Sequence, residues 1–160
     1  MTDLNKLLTP LYLNETEIRK AIELIFFSYR DFTAGPDKIL EKINFGRAHR
    51  VIYFVGKQKR ITIKELLSIL QITKQSLSRV LNQLVKEKFI FVSTGIDKRT
   101  KNLSLTNKGW GLEKELSTIQ INKIRNVLKQ FKEKDINGFK KILYAMIEEK
   151  NKKKFDEINN

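Results

Sequence analysis

The chain of 160 residues contains no cysteine and a single histidine, His49. Without Cys there is no disulfide framework, thiolate zinc site, iron–sulfur ligation, cysteine nucleophile or thiol-based oxidant sensor. With one His, no nucleophile–histidine pairing can be built beyond His49, and a specific zinc site is not expected. Neither of the glycine-rich phosphate motifs, GxxxxGK[ST] or GxGxxG, is present. Carboxylates are too sparse in the basic middle of the chain for a carboxylate-based metal nuclease. These absences argue against an enzyme and against any cofactor or metal. No apolar run approaches the ~18 residues needed to span a bilayer, and the N-terminus lacks the basic, apolar and small-residue layout of a signal peptide. A cytoplasmic protein with no membrane partner is expected.

Acidic residues are also scarce, with 18 Asp and Glu against 32 Lys and Arg, for a net charge of +14. Of the cations 24 are Lys, a bias that an AT-rich coding sequence would produce unaided, so location matters more than total. Residues 1–56 carry a net +1, residues 57–101 a net +8 and residues 102–160 a net +5. A polyanion-binding face in the middle of the chain follows. Hydrophobic residues make up 41%, enough for a core, and the length favours a single domain over 1–160.

Helical periodicity opens at Asn14, which with Glu17 resembles a capping box. Ile18, Ala21, Ile22, Ile25, Phe26 and Tyr29 make one apolar face to about Thr33, and Gly35-Pro36 is expected to end the helix. Residues 37–43 add at most a short turn. A second helix, from about Phe45 to Lys57, is apolar around much of its circumference and is expected to be buried. Ile63 to Leu70 then form a short helix, Gln71-Ile72 connect, and Thr73 can cap a second helix that turns Leu77, Val80, Leu81 and Leu84 inward. Phe89–Val92 reads as a strand, and Leu103 and Leu105 alternate with polar residues as another. Between them lies a basic hairpin tip, Gly95–Lys101. Thr106 can cap a long helix to about Phe131, and Asp135 a last one carrying Ile136, Phe139, Ile142, Leu143, Met146 and Ile147. Asn151–Asn160 is expected to fray. The fold class is therefore mainly α with a small β wing: a winged helix-turn-helix core, residues 57–106, plus N- and C-terminal dimerisation helices, 14–34 and 107–150. Those flanking helices are long and apolar and bury little in a single chain, so a symmetric homodimer is expected to cover them.

The helix beginning at Thr73 presents Thr73, Lys74, Gln75, Ser76, Ser78, Arg79, Asn82 and Gln83 away from its Leu/Val face, with no acid before Glu87. Arg pairs with guanine, Asn and Gln with adenine, and Ser, Thr and Lys meet phosphates. Lys98, Arg99 and Lys101 sit on a narrow projection suited to a backbone or minor groove. Asp97 would be repelled by phosphate, so its expected role is to pair with Arg99 and aim that guanidinium.

The segments FGRAHRVIYFV (45–55), ITKQSLSRVLNQLVKEKFI (72–90) and DKRTKNLSLTNKG (97–109) resemble the MarR family of winged-helix transcriptional regulators, in family order over roughly residues 14–150. The most specific matches are D-x-R and L-T-x-x-G, at Asp97, Arg99, Leu105, Thr106 and Gly109. The resemblance implies a homodimer with intertwined first and last helices and recognition helices in successive major grooves of double-stranded DNA. It places wings in the flanking minor grooves, with Thr73–Arg79 starting the recognition helix and Arg99 as the wing arginine. Family members usually carry Gly just after the recognition helix, where this chain has Lys88. A left-handed Lys costs about 1 kcal/mol, so a different helix ending is expected. Many members also answer a small anionic or phenolic effector in a pocket between dimerisation helices and winged core, which Arg47, His49, Arg50 and Tyr53 would line. Trp110 is expected as a core or interface anchor. The expected function is a sequence-specific, DNA-binding transcriptional regulator acting as a homodimer on a pseudo-palindromic operator. The alternative is an architectural or RNA-binding protein that uses the same basic face without sequence choice.

Overall fold

The computed structural model describes residues 10–46 and 48–160. After a 3-10 turn at Leu11–Leu13 the elements are α1 (Glu15–Lys42), α2 (His49–Lys57), β1 (Ile61–Thr62), α3 (Ile63–Leu70), α4 (Lys74–Lys86), β2 (Ile90–Thr94), β3 (Lys101–Leu105), α5 (Asn107–Leu128), α6 (Glu133–Met146) and α7 (Glu149–Asn159). The three strands form one antiparallel sheet in the order β1–β3–β2, with Ile61 opposite Leu103 and Ile90 opposite Leu105. Those four side chains point into a core that also holds Leu40, Ile52, Val55, Leu66, Leu77, Leu84 and Leu116, all almost completely buried. The core therefore lies under the helix-turn-helix and the wing. The fold is mostly helical with a small sheet, as the sequence predicts.

Several expectations are corrected. Asn14 caps α1 by accepting a bond from the Glu17 amide at 3.0 Å, but Gly35-Pro36 does not end the helix, which runs on to Lys42. Proline removes the amide that would bond the carbonyl of Phe32. The side-chain amide of Gln120 on α5 faces that carbonyl instead, at 3.5 Å, and Lys123 donates to the carbonyl of Asp31. Gly35 marks close packing, since a Cβ there would lie 2.7 Å from Ile119 of α5. The pair is thus where α1 crosses α5, and Pro36 is buried at that crossing. The second helix starts at His49, later than Phe45, though Phe45 and Ala48 still reach the core. β1 has no counterpart in the sequence reading. Residues 149–159 form a helix rather than a frayed tail.

Lys88 does take the left-handed conformation, with φ 61°, so the different helix ending expected there is not found. The Phe89 amide bonds the Leu84 carbonyl at 2.8 Å and the Lys88 amide the Val85 carbonyl at 3.0 Å, the paired pattern of a Schellman ending. The chain accepts the backbone cost of a non-glycine residue to keep that turn. Lys88→Gly is therefore expected to raise stability by about 1 kcal/mol, or about 2–4 °C in Tm for a chain of this size. A thermal melt checks it, and an unchanged or lower Tm would contradict it.

Candidate nucleic-acid interface

Local capping fixes the helix-turn-helix. Thr62 and Glu65 form a full capping box at the start of α3: the Thr62 hydroxyl accepts from the Glu65 amide at 3.1 Å, and the Glu65 carboxylate accepts from the Thr62 amide at 2.8 Å. The bonds from the Thr62 amide and hydroxyl hold the Glu65 carboxyl below its ordinary pKa. α3 ends at Gln71 in a left-handed turn, φ 50°. Thr73 then caps α4 by accepting from the Ser76 amide at 3.1 Å.

α4 buries Leu77, Leu81 and Leu84, with Val80 half-buried, and so turns Thr73, Lys74, Gln75, Ser76, Arg79 and Asn82 to solvent; Ser78 is half-buried at the edge. Gln83 has other work, donating to the Asn44 carbonyl at 2.9 Å, and so braces α4 rather than joining its open face. Lys98, Arg99 and Lys101 are exposed on the β2–β3 hairpin, and Ile96 stands fully exposed at its tip. Among the described residues no ion pair engages Lys74, Arg79, Lys98, Arg99 or Lys101.

The role expected for Asp97 is corrected. Its carboxylate accepts from the backbone amide of Arg99 at 3.0 Å, not from the guanidinium. At two-residue separation an Asp side chain bonds the local backbone readily, making an Asx turn. The Asp97 carbonyl also accepts from the Thr100 amide at 2.8 Å, so Asp97 shapes the hairpin tip and leaves the Arg99 side chain unheld.

The L-T-x-x-G segment ties the wing to α4. Thr106 donates its hydroxyl to the Lys88 carbonyl at 2.6 Å and its amide to the Phe89 carbonyl at 3.0 Å, while its hydroxyl caps the Gly109 amide at 3.0 Å. Lys108 adds a bond to the Glu87 carbonyl at 2.8 Å and lies over the Phe89 ring. The end of α4, the end of β3 and the start of α5 are thereby held as one joint.

A second site lies between α1, α2 and α5, a cavity of about 980 Å³. His49, Arg50 and Tyr53 line it as the sequence suggests; Arg47 lies outside the described residues. The sequence reading misses Tyr29 and Phe32 of α1 and Ser117, Gln120 and Ile121 of α5, which complete the wall. Tyr29, Phe32 and Ile121 carry only an apolar signal, which fits a dimer face equally well, and Ser117 and Gln120 carry none. His49 is buried, and among the described residues its Nε2 has no hydrogen-bond partner. Burial holds its pKa below the ordinary value, against the attraction of Asp37 and Glu113 and with the repulsion of Arg50. The folded protein therefore binds fewer protons than the unfolded chain once pH drops below about 6.5. Stability is expected to be present above that pH and to be lost progressively below it. Thermal melts between pH 8 and pH 5 should show a smaller acid loss in His49→Gln than in the wild type; equal losses would remove the assignment to His49. Trp110 is half-exposed with its ring edge beside Gly56, so it is not a core residue.

A family model described as MarR family matches residues 46–99. The chain is 42% identical over 142 residues to an HTH-type transcriptional regulator, PetP, of Rhodobacter capsulatus, covering 88% of this chain and 86% of that protein. Its fold is similar to a SlyA-like transcription regulator from Listeria monocytogenes, with TM-score 0.65, 22% identity and coverage of 76% and 82%. It is also similar to S. aureus MepR in a complex with DNA, with TM-score 0.63, 22% identity and coverage of 78% and 93%. These relatives are regulators rather than enzymes. With its helix-turn-helix, its wing and a relative of this closeness along most of its length, the chain belongs to the MarR family of transcriptional regulators.

Proposed function

We propose that two copies of this chain, acting in the cytoplasm, form a symmetric dimer that binds a pseudo-palindromic duplex and so blocks or redirects transcription. The observation that carries this reading is the open face of α4, polar or basic throughout and free of acid, beside an equally unpaired basic hairpin. Residues 57–106 make the DNA-binding region. Thr73, Lys74, Gln75, Ser76, Ser78, Arg79 and Asn82 enter the major groove, with Arg79 reading a base edge and Lys74 and Ser76 gripping phosphate. Lys98, Arg99 and Lys101 follow the adjacent minor groove or its backbone. The dimer contact uses the apolar faces that a single chain leaves open: Ile18, Ile22, Ile25 and Phe26 on α1, and Phe139, Ile142, Leu143 and Met146 on α6. The cavity beside His49 takes a small anionic or phenolic effector, with the Arg50 guanidinium for its charge.

Selection of bound sites from random duplex DNA at physiological salt tests the reading. Enrichment of an inverted repeat with half-sites about one helical turn apart supports it; no enrichment would favour an architectural role on the same basic face. On the selected site Arg79→Ala is expected to cost about 1–3 kcal/mol and to relax sequence choice, while Lys98→Ala weakens all sequences alike. An Arg79→Ala protein that loses random and preferred DNA equally would remove Arg79 as a base reader.

A further inference from the structure

The sequence leaves the basic C-terminal segment without a role, yet the structure places part of it beside the DNA-binding elements. α7 returns to the winged core, where Gln71 at the end of α3 donates to Asn151 at 2.6 Å and Lys57 at the end of α2 donates to Asn159 at 3.2 Å. Asn151, Lys152, Lys154 and Ile158 are half-buried along that side of the helix. The position puts Lys154 on the rim of an open cleft of about 720 Å³ that is also lined by Lys64 of α3, Lys74 of α4, and Arg99 and Lys101 of the wing. Among the described residues five cations thus border one opening, against a single carboxylate, Glu65, which Thr62 engages in the capping box and which also attracts Lys154. Lys64, Lys74, Arg99 and Lys101 form no ion pair among the described residues, and Lys154 has only a 3.5 Å contact with Glu157. Cations gathered around one opening raise its potential and draw an anion towards it. The opening is continuous with the start of the recognition helix and with the wing, so the anion that reaches it is the backbone of the same duplex.

We infer that α7 is a third DNA-contacting element, with Lys154 completing a phosphate seat between α3, the start of α4 and the wing. This rests on the DNA-binding role assigned to α4 and the wing, and it extends the footprint by one phosphate per chain. It assigns a role to part of the C-terminal charge. Lys154 acts without regard to sequence, because it meets phosphate and not a base edge.

The test is the salt dependence of duplex binding by the full chain. Removing one phosphate contact should flatten the slope of log K against log salt by about 0.9 per bound chain. Lys154→Gln is expected to show that flattening and to weaken preferred and random duplexes equally, whereas Lys154→Arg should keep the wild-type slope. Lys134→Gln, on the exposed start of α6 beyond the far end of α5, is the charge-matched control and should leave the slope unchanged. If the wild type binds with a steep slope and Lys154→Gln matches it, the seat is refuted while the roles of α4 and the wing stand. Tighter binding by Lys154→Gln would also refute it, showing that α7 obstructs the duplex. A wild type that binds no duplex would remove the underlying reading along with this one.

Discussion

Gly109→Ala is expected to destabilise the protein by on the order of 3 kcal/mol or more, lowering Tm by about 6–12 °C. A Cβ at this position would lie 2.0 Å from the carbonyl oxygen of Phe89 and 3.3 Å from the Cβ of Leu105. The first contact is with backbone, which cannot swing aside as a side-chain tip could. That same carbonyl accepts from the Thr106 amide, and the neighbouring Lys88 carbonyl from the Thr106 hydroxyl. Relieving the clash therefore breaks the joint that orients the wing against α4, so duplex affinity should fall together with stability. Gly111, two residues on in the same helix, is the control. A Cβ there meets nothing within 4 Å, and Gly111→Ala should stabilise by about 0.5–1 kcal/mol through helix propensity. Thermal melts of both variants decide the matter. A Gly109→Ala protein that melts within about 2 °C of wild type would show that the close approach is not a constraint in solution.

Duplex affinity is expected to fall about ten-thousand-fold between 50 and 200 mM salt. Four side chains per protomer supply the estimate: Lys74, Lys98, Arg99 and Lys101, all exposed and unpaired among the described residues. A dimer then neutralises about eight phosphates, for a slope of log K against log salt of roughly −7, or steeper where α7 contributes. Counterion release dominates because these cations have no protein partner to leave on binding. Among the described residues six ion pairs occur, each between residues no more than four apart, and none of them engages these four cations. Titration of a labelled duplex at several salt concentrations measures the slope. A value shallower than about −3 would mean that the basic face carries little of the affinity.

The parts of the molecule legible in its sequence are those set by near neighbours in the chain. Thr73 caps α4 through Ser76, and Thr106 caps α5 through Gly109, both at three-residue spacing. The bounds of α3 and α4 follow from such caps and from leucines at helical spacing. Most of what escapes the sequence depends on distant residues. Gly35-Pro36 reads locally as a stop, and only Ile119 and Gln120, from another helix, reveal it as a crossing. At Asp97 the charge of Arg99 suggests a side-chain pair, but the backbone amide of Arg99 is the group that reaches the carboxylate. β1 is two residues long and has no alternation to detect. α7 is too polar to announce a packed face, and its contacts with Gln71 and Lys57 are single polar bonds across 80 and 102 residues of chain. The cavity wall needed α1 and α5 to be side by side, which no spacing within either helix can state.

The unbroken course of α1 through Gly35-Pro36 gives the molecule a mechanical gearing. Its C-terminal end is anchored in the core by Leu40, while its first five turns carry the apolar face proposed for the dimer. From the crossing at Gly35 back to Glu15 the helix extends about 30 Å. A tilt of one degree at that fulcrum moves the far end by about half an ångström. Tyr29 and Phe32, just before the fulcrum, are also cavity wall. An occupant of that cavity would push on the same arm close to its fulcrum, where a small displacement is magnified at the end proposed for the dimer contact.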